Sequence, residues 1–224
     1  MGMTPVPRSP YLYALMEQGL VRHHSKGATF TSTDEGGEVI MVVDGYVKRY
    51  SIFNDGSTAT QIMYGPQDVF PLTRVFDNLR QLSLHDGPQT FYYETLTDAH
   101  VLNTSLDELR QVTLNNPLVY RDLFTEAGHH LKWCVHTIEN IGFKTTYQRV
   151  AHQILYFARE FGTSHGQSVV IDVPLTHQDI SDMLGTTRAT ISLAITKLKK
   201  DGLLDEGRTL MVTDLVKLTE AVYA

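Results

Sequence analysis

The segment from Leu175 to Leu198 constrains the fold most, because it carries two short apolar stripes separated by a single glycine, Gly185. Thr176 is a good helix N-cap, and Asp179 three residues on offers a weak version of the capping-box acid. Ile180, Met183 and Leu184 fall at i, i+3 and i+4, so a first helix buries one stripe. Gly185 can take the left-handed conformation that ends a helix, and Thr187 can cap a second one. In that second helix Ile191, Ala194, Ile195 and Leu198 face inward, which turns Arg188, Ala189, Ser192, Thr196 and Lys199 outward. A polar outer face that opens with an arginine suits base-edge readout in the major groove of DNA, so the pair reads as a helix-turn-helix. An ordinary helical hairpin is the alternative. Downstream, Gly202 to Val212 holds two apolar runs joined at Asp205-Glu206-Gly207-Arg208, a hairpin signal that predicts a wing with Arg208 at its tip. Lys197, Lys199 and Lys200 stand where phosphates would pass, although such clusters are also ordinary solvated helix ends.

The length of 224 residues allows two domains with separate cores. Net charge is −6, from 19 Lys and Arg against 25 Asp and Glu. Residues 1–141 hold 10 basic and 16 acidic residues, so residues 142–224 hold 19 − 10 = 9 and 25 − 16 = 9. The acidity therefore lies in the first part, and DNA binding has to rest on a local cationic face and on dimerisation. One cysteine, Cys134, excludes a disulfide framework or a cysteine-only metal site within one chain. No apolar run approaches a membrane span and the N-terminus lacks a signal-peptide pattern, so a cytoplasmic protein without membrane contact is expected.

From about Leu20 to Leu109 short alternating runs are punctuated by turns at Asp44-Gly45, Asn54-Asp55-Gly56 and Gly65-Pro66, which predicts an antiparallel β-barrel or sandwich able to enclose a small ligand. The period then changes. Tyr120, Phe124, Ala127, Leu131, Cys134, Ile138 and Ile141 are spaced 4, 3, 4, 3, 4 and 3, a heptad seam that asks for a partner helix and predicts a parallel homodimer. Gly142 to Thr146 reads as a hinge, followed by a helix over about Tyr147 to Phe161. The expected organisation is α+β: a sensor barrel over residues 1–115, a dimerisation helix over 116–142 and a winged helix-turn-helix over 143–224.

In that order the segments resemble the CRP/FNR superfamily of transcription regulators, over nearly the whole chain. The likeness rests on Val43-Asp-Gly-Tyr-Val-Lys, Asp55-Gly56, Gln67-Asp68-Val69-Phe70, Arg149-Val-Ala, and above all Leu175-Thr-x-x-Asp-Ile-x-x-x-Leu-Gly185-x-x-Arg188-x-Thr190-Ile191-Ser192. The resemblance implies a double-stranded β-helix like the cyclic-nucleotide-binding domain, guanine readout by Arg188, a phosphate contact by Thr190, and RNA polymerase as a further partner through Thr163 to Ser168. Two positions depart from the family's pattern: Ala189 stands for a common glutamate and Leu193 for a common arginine. Leu193 suits a thymine methyl instead.

The family's nucleotide cassette uses a Gly-Glu pair and an Arg-Ser pair, and the matching places here are Pro71-Leu72 and Gln89-Thr90. That leaves no arginine there for a cyclic phosphate, so an effector other than cyclic AMP is expected. Tyr64, Phe70, Leu72, Phe76, Gln89, Thr90 and Phe91, with Trp133 and Cys134 from the long helix, are the candidate effector residues. Their aromatic character resembles the halophenol-sensing branch and suits a small aromatic ligand. Core filling is the plain alternative. His129, His130 and His136 beside Cys134 leave a haem- or redox-sensing regulator open, but histidines on an exposed helix are the commoner explanation. No metal set or catalytic residue is assigned. A cupin-like barrel enzyme would need His-x-His with further ligands, and the barrel holds no His-x-His, with His85 and His100 unsuitably spaced.

Overall fold

The protein is described by a computed structural model that covers residues 7–31, 37–72, 75, 91–207 and 209–223. The chain divides into two compact units, Met1–Ser51 with Gln61–Lys132, and Ile52–Thr60 with Trp133–Ala224.

The first unit is built on eight strands, β1 (Leu20–His24), β2 (Thr29–Thr31), β3 (Glu38–Asp44), β4 (Val47–Ile52), β5 (Thr58–Tyr64), β6 (Val69–Phe70), β7 (Tyr92–Thr95) and β8 (Ala99–Ser105). They form two four-stranded antiparallel sheets among the described residues, ordered β1-β8-β3-β6 and β2-β7-β4-β5. Phe70 of the first sheet stacks on Tyr64 and Tyr93 of the second at 4.3 and 4.8 Å, so the sheets face each other across aromatic rings. Helices cover the outer side of the first sheet. Leu12 and Met16 of α1 (Pro10–Met16), Leu109 of α2 (Leu106–Asn115), and Val119 and Leu123 of α3 (Pro117–Gly142) share one core with Val39, Met41 and Leu102. The sheet is thus covered on both faces, which explains why Val39 to Val42 are all buried and do not alternate. Neither α1 nor α2 was anticipated from the sequence.

The 26-residue helix α3 runs about 39 Å at 1.5 Å per residue. Its start is set by Asn116-Pro117: the residue before proline is pushed out of helical geometry, and Asn116 Oδ1 accepts from Leu118 N at 3.0 Å. Ala127, expected in the seam, leans on the first unit's own core.

In the second unit, α4 (Thr146–Glu160) is capped by Thr145, whose hydroxyl accepts from Gln148 N. It packs against α6 (Arg188–Lys200) and α7 (Leu215–Tyr223). Thr163 to Ser168, the segment that the resemblance gives to RNA polymerase, belongs to a hairpin of β9 (Gly162–His165) and β10 (Ser168–Ile171). That hairpin extends the wing strands β11 (Leu204–Glu206) and β12 (Leu210–Val212) into one sheet, ordered β11-β12-β10-β9. Gly162 is required by space: a Cβ there would stand 2.3 Å from the Ala158 carbonyl oxygen and 2.4 Å from Val169 Cγ1.

Candidate nucleic-acid interface

The helix-turn-helix consists of α5 (His177–Leu184) and α6, with Gly185 between them at φ +58°. The capping box is formed. Asp179 N donates to Thr176 Oγ1 at 3.1 Å, and Thr176 N donates to Asp179 Oδ2 at 3.0 Å. The second helix is capped in the same way, with Thr190 N donating to Thr187 Oγ1 at 3.2 Å. The hydroxyls of Thr187 and Thr190 lie 2.8 Å apart. Thr176, Thr187 and Thr190 therefore spend their hydroxyls on starting helices. Ser192 is also committed: its Oγ donates to the Arg188 carbonyl at 2.9 Å and lies 2.8 Å from His177 Nδ1, which ties α5 to α6.

Ile191, Ala194, Ile195 and Leu198 are buried, so α6 is fixed by its inner stripe. Its outer face presents Arg188, Ala189, Leu193 and Thr196, all exposed. Leu193 is 73% exposed, an isolated apolar side chain on a polar face. The guanidinium of Arg188 has no hydrogen-bond or ion-pair partner among the described residues. At the far end, the Lys197 ammonium sits 4.7 Å from the Tyr147 ring centroid, and Tyr147 Oη donates to Asp201 at 2.7 Å. Burial and Asp201 push the Tyr147 phenol up to about 12, so it stays protonated. Lys199 is half-buried and Lys200 exposed. Arg208 lies outside the described residues.

The hinge side of α4 reaches the motif directly. Arg149 Nη2 donates to the Leu184 carbonyl at 2.7 Å, immediately before the turn, while Arg149 Nε donates to Asn140 Oδ1 at 3.2 Å. Asn140 in turn donates to the Arg149 carbonyl at 2.8 Å. Sequence reasoning assigned no role to Asn140, a polar residue one position before the seam residue Ile141.

The seam shows a clear division. Phe124, Leu131, Ile138 and Ile141 are 62–71% exposed, and Tyr120 and Cys134 are exposed with them. The buried side of α3 is partly polar and was missed for that reason: Asp122, Glu126, His136 and Asn140 are all buried. The histidines correct the expectation of a solvated cluster. His136 stacks on His152 at 4.3 Å and on Tyr156 at 4.2 Å, and burial holds it down to about 4. His129 contacts Asp68 at 3.4 Å, and His130 turns its ring towards Tyr64 at 5.5 Å.

Of the effector residues, Tyr64, Phe70 and Leu72 are buried in the first unit, and Phe91 lies under the Arg49 guanidinium at 4.6 Å. Trp133 is spent in the second unit, edge-on to Tyr156 at 5.1 Å, and Cys134 is exposed, so its thiol lines no buried interior of the single chain. Phe76, Gln89 and Thr90 lie outside the described residues. Among the described residues no group of three His, Cys, Asp or Glu side chains is placed to hold a metal ion, and no helix is long and apolar enough to cross a membrane.

Residues 148–221 match the family model of the Crp-like helix-turn-helix domain. The CRP-like cAMP-activated global transcriptional regulator of Mycobacterium tuberculosis is 25% identical over 190 residues, covering 84% of this chain and 81% of its own length. The global nitrogen regulator of Synechococcus elongatus is 21% identical over 188 residues, covering 82% and 81%. Among solved structures, FixK2 from Bradyrhizobium japonicum superposes with a TM-score of 0.72 at 23% identity, covering 92% of this chain and 98% of its own. A CooA variant from Carboxydothermus hydrogenoformans gives 0.72 at 22%, covering 98% and 97%. These structural likenesses speak to the fold.

Proposed function

We propose the following reading for a chain that is a member of the CRP/FNR superfamily of transcription regulators: it binds an inverted-repeat DNA operator as a homodimer, and a small molecule held in the first unit gates that binding. It is a regulator, as its curated relatives are, and not an enzyme. The outer face of α6 carries the reading. Arg188, at the head of a capped helix and with no partner among the described residues, is the group for the O6 and N7 edge of a guanine. Leu193 supplies apolar contact for a thymine methyl, and Lys197, Lys199 and Lys200 follow with positive charge for phosphates.

The homodimer rests on the exposed seam of α3. Four large apolar side chains at heptad spacing on one helix are an interface waiting for a second copy, and pairing them parallel would give two reading helices related by two-fold symmetry. The same reading takes the cytoplasm, where the DNA partner is, as the place of action. The exposed turn of the β9–β10 hairpin, Thr163 to Gln167, is the surface offered to RNA polymerase. Cyclic AMP is not the effector favoured here, because Pro71-Leu72 and Gln89-Thr90 supply no cation where the cassette needs one. Haem or redox sensing loses support from the inward turn of His130 and His136 away from the exposed Cys134.

Selection from a randomised duplex pool with the purified protein tests the reading. It should enrich an inverted repeat whose half-site centres lie about 34 Å apart, one helical turn. Enrichment of single, unpaired sites, or of no sequence, would contradict it.

A further inference from the structure

Buried polar groups without a partner are few in a folded chain, and each asks for a reason. Two of them line a single cavity of about 230 Å³ in the second unit, walled by Thr60, the end of α3, the first half of α4 and the end of α5. Gln153 of α4 is 3% exposed and Thr60 6%. The Gln153 amide meets His136 Nε2 through its oxygen at 3.1 Å, so its Nε2 is left without a partner, and the Thr60 hydroxyl has none either. Turning the amide round only exchanges the open end, because His136 Nε2 engages one end at a time. A negative charge in the cavity would select the orientation with the NH2 group forward.

The same wall carries a cation. Arg149 is half-buried and spends its bonds on neutral oxygens, Nε on Asn140 Oδ1 at 3.2 Å and Nη2 on the Leu184 carbonyl at 2.7 Å. Its Nη1 has no partner among the described residues, and no lining residue is Asp or Glu. In this unit only Arg208, Ala224 and the side chain of Glu206 lie outside the description, and none of them adjoins a lining residue in the sequence. The rest of the wall is apolar, with Trp133, Ile141, Met183 and Leu184. A guanidinium without a counter-charge, an open amide and an open hydroxyl beside apolar surface are the complement of a small anion with an aliphatic body.

We propose that this cavity takes a small aliphatic carboxylic acid, its carboxylate on Arg149 and Gln153 Nε2 and its chain against Trp133 and Met183. Guanidinium and amide present N–H donors to the carboxylate, and the Thr60 hydroxyl turns to donate as well. Inorganic phosphate would satisfy the donors but leave the apolar wall uncovered, so the aliphatic chain is what Trp133, Ile141, Met183 and Leu184 select. The site belongs to the second unit and stands whether or not a molecule in the first unit gates DNA binding.

Trp133 is the chain's single tryptophan and lines the cavity, so its fluorescence reports occupancy. The full-length protein, without DNA, is titrated at constant ionic strength with butyrate and pentanoate, with butyramide as the uncharged control and inorganic phosphate as the anion without a chain. Calorimetry repeats each titration. At least one acid should bind saturably by both methods, with butyramide and phosphate weaker by about tenfold or more. Gln153→Leu and Arg149→Met should each weaken the acid by about tenfold, and Arg149→Lys should recover only part of the loss. Circular dichroism checks that the variants are folded; if Arg149→Met unfolds, Gln153→Leu and Thr60→Val carry the comparison, each expected to weaken binding. No saturable binding of either acid, equal binding of acid and amide, phosphate as tight as the acids, calorimetric binding that leaves Trp133 fluorescence unmoved, or binding unchanged in the folded variants would each overturn the assignment.

Discussion

Replacing Arg8 with methionine should cost the first unit about 3–5 kcal/mol of stability near pH 8, because it breaks a buried charge cluster from one side. Arg8 Nη2 lies 2.9 Å from Asp68 Oδ1 and 2.6 Å from Glu126 Oε2, and its Nε donates to Glu126 Oε1 at 3.0 Å. Glu126 is fully buried and Asp68 3% exposed, so neither carboxylate can turn to water once the guanidinium is gone. Ser9 Oγ at 2.6 Å from Glu126 and Gly65 N at 2.7 Å from Asp68 remain, which keeps the estimate below the cost of two bare charges. Burial already raises the Asp68 carboxyl above its usual range despite Arg8, and the variant should raise it further. A carboxyl whose folded pKa lies above its unfolded value binds its proton better when folded, so it loses stability as pH rises through that window. The loss should therefore be largest near pH 8 and shrink as pH falls towards about 5. Urea denaturation followed by circular dichroism at both pH values measures it. A loss below about 1 kcal/mol at pH 8, or the same loss at both, would refute the reasoning.

Leu131→Asp or Ile138→Asp should yield monomers that lose operator binding while both units stay folded, and sedimentation showing an intact dimer would remove the seam from the account. Gly162→Ala should destabilise the second unit by about 1–3 kcal/mol through overpacking against Ala158 and Val169, read from thermal unfolding. His136 is held at about 4 against an ordinary 6.5, so the unfolded chain takes up its proton first and stability should fall as pH drops from 6.5 towards 4. His136→Phe should flatten that fall, followed through the single tryptophan, Trp133, whose ring lies 5.9 Å from His136.

Much of the second unit was legible because its signals are local. The Thr176–Asp179 box, the left-handed Gly185 and the Thr187 cap depend on residues three apart, and the structure forms all of them. The exposed apolar stripe of α3 was legible because Phe124, Leu131, Ile138 and Ile141 keep a strict period; that it joins two copies is the proposal. What escaped was the opposite face of α3, where Asp122 accepts from Tyr11 N and Leu12 N at the start of α1, and Glu126 holds Arg8. Buried polar residues paired over a hundred positions away imitate a solvated face in sequence. The β9–β10 hairpin was missed because Thr163 to Ser168 has no apolar alternation; its pairing to the wing sheet is a tertiary fact.

The central claim, that α6 reads DNA sequence through Arg188, is tested most directly by competition binding of the wild type and Arg188→Ala to operator variants and to random duplex. Loss of Arg188 should weaken operator binding by about 1–3 kcal/mol and relax preference at one base pair in each half-site, with random-DNA affinity little changed. Lys199→Ala should weaken all duplexes alike. If Arg188→Ala instead lowered specific and random binding equally, Arg188 would be a phosphate contact and the proposed readout would be wrong.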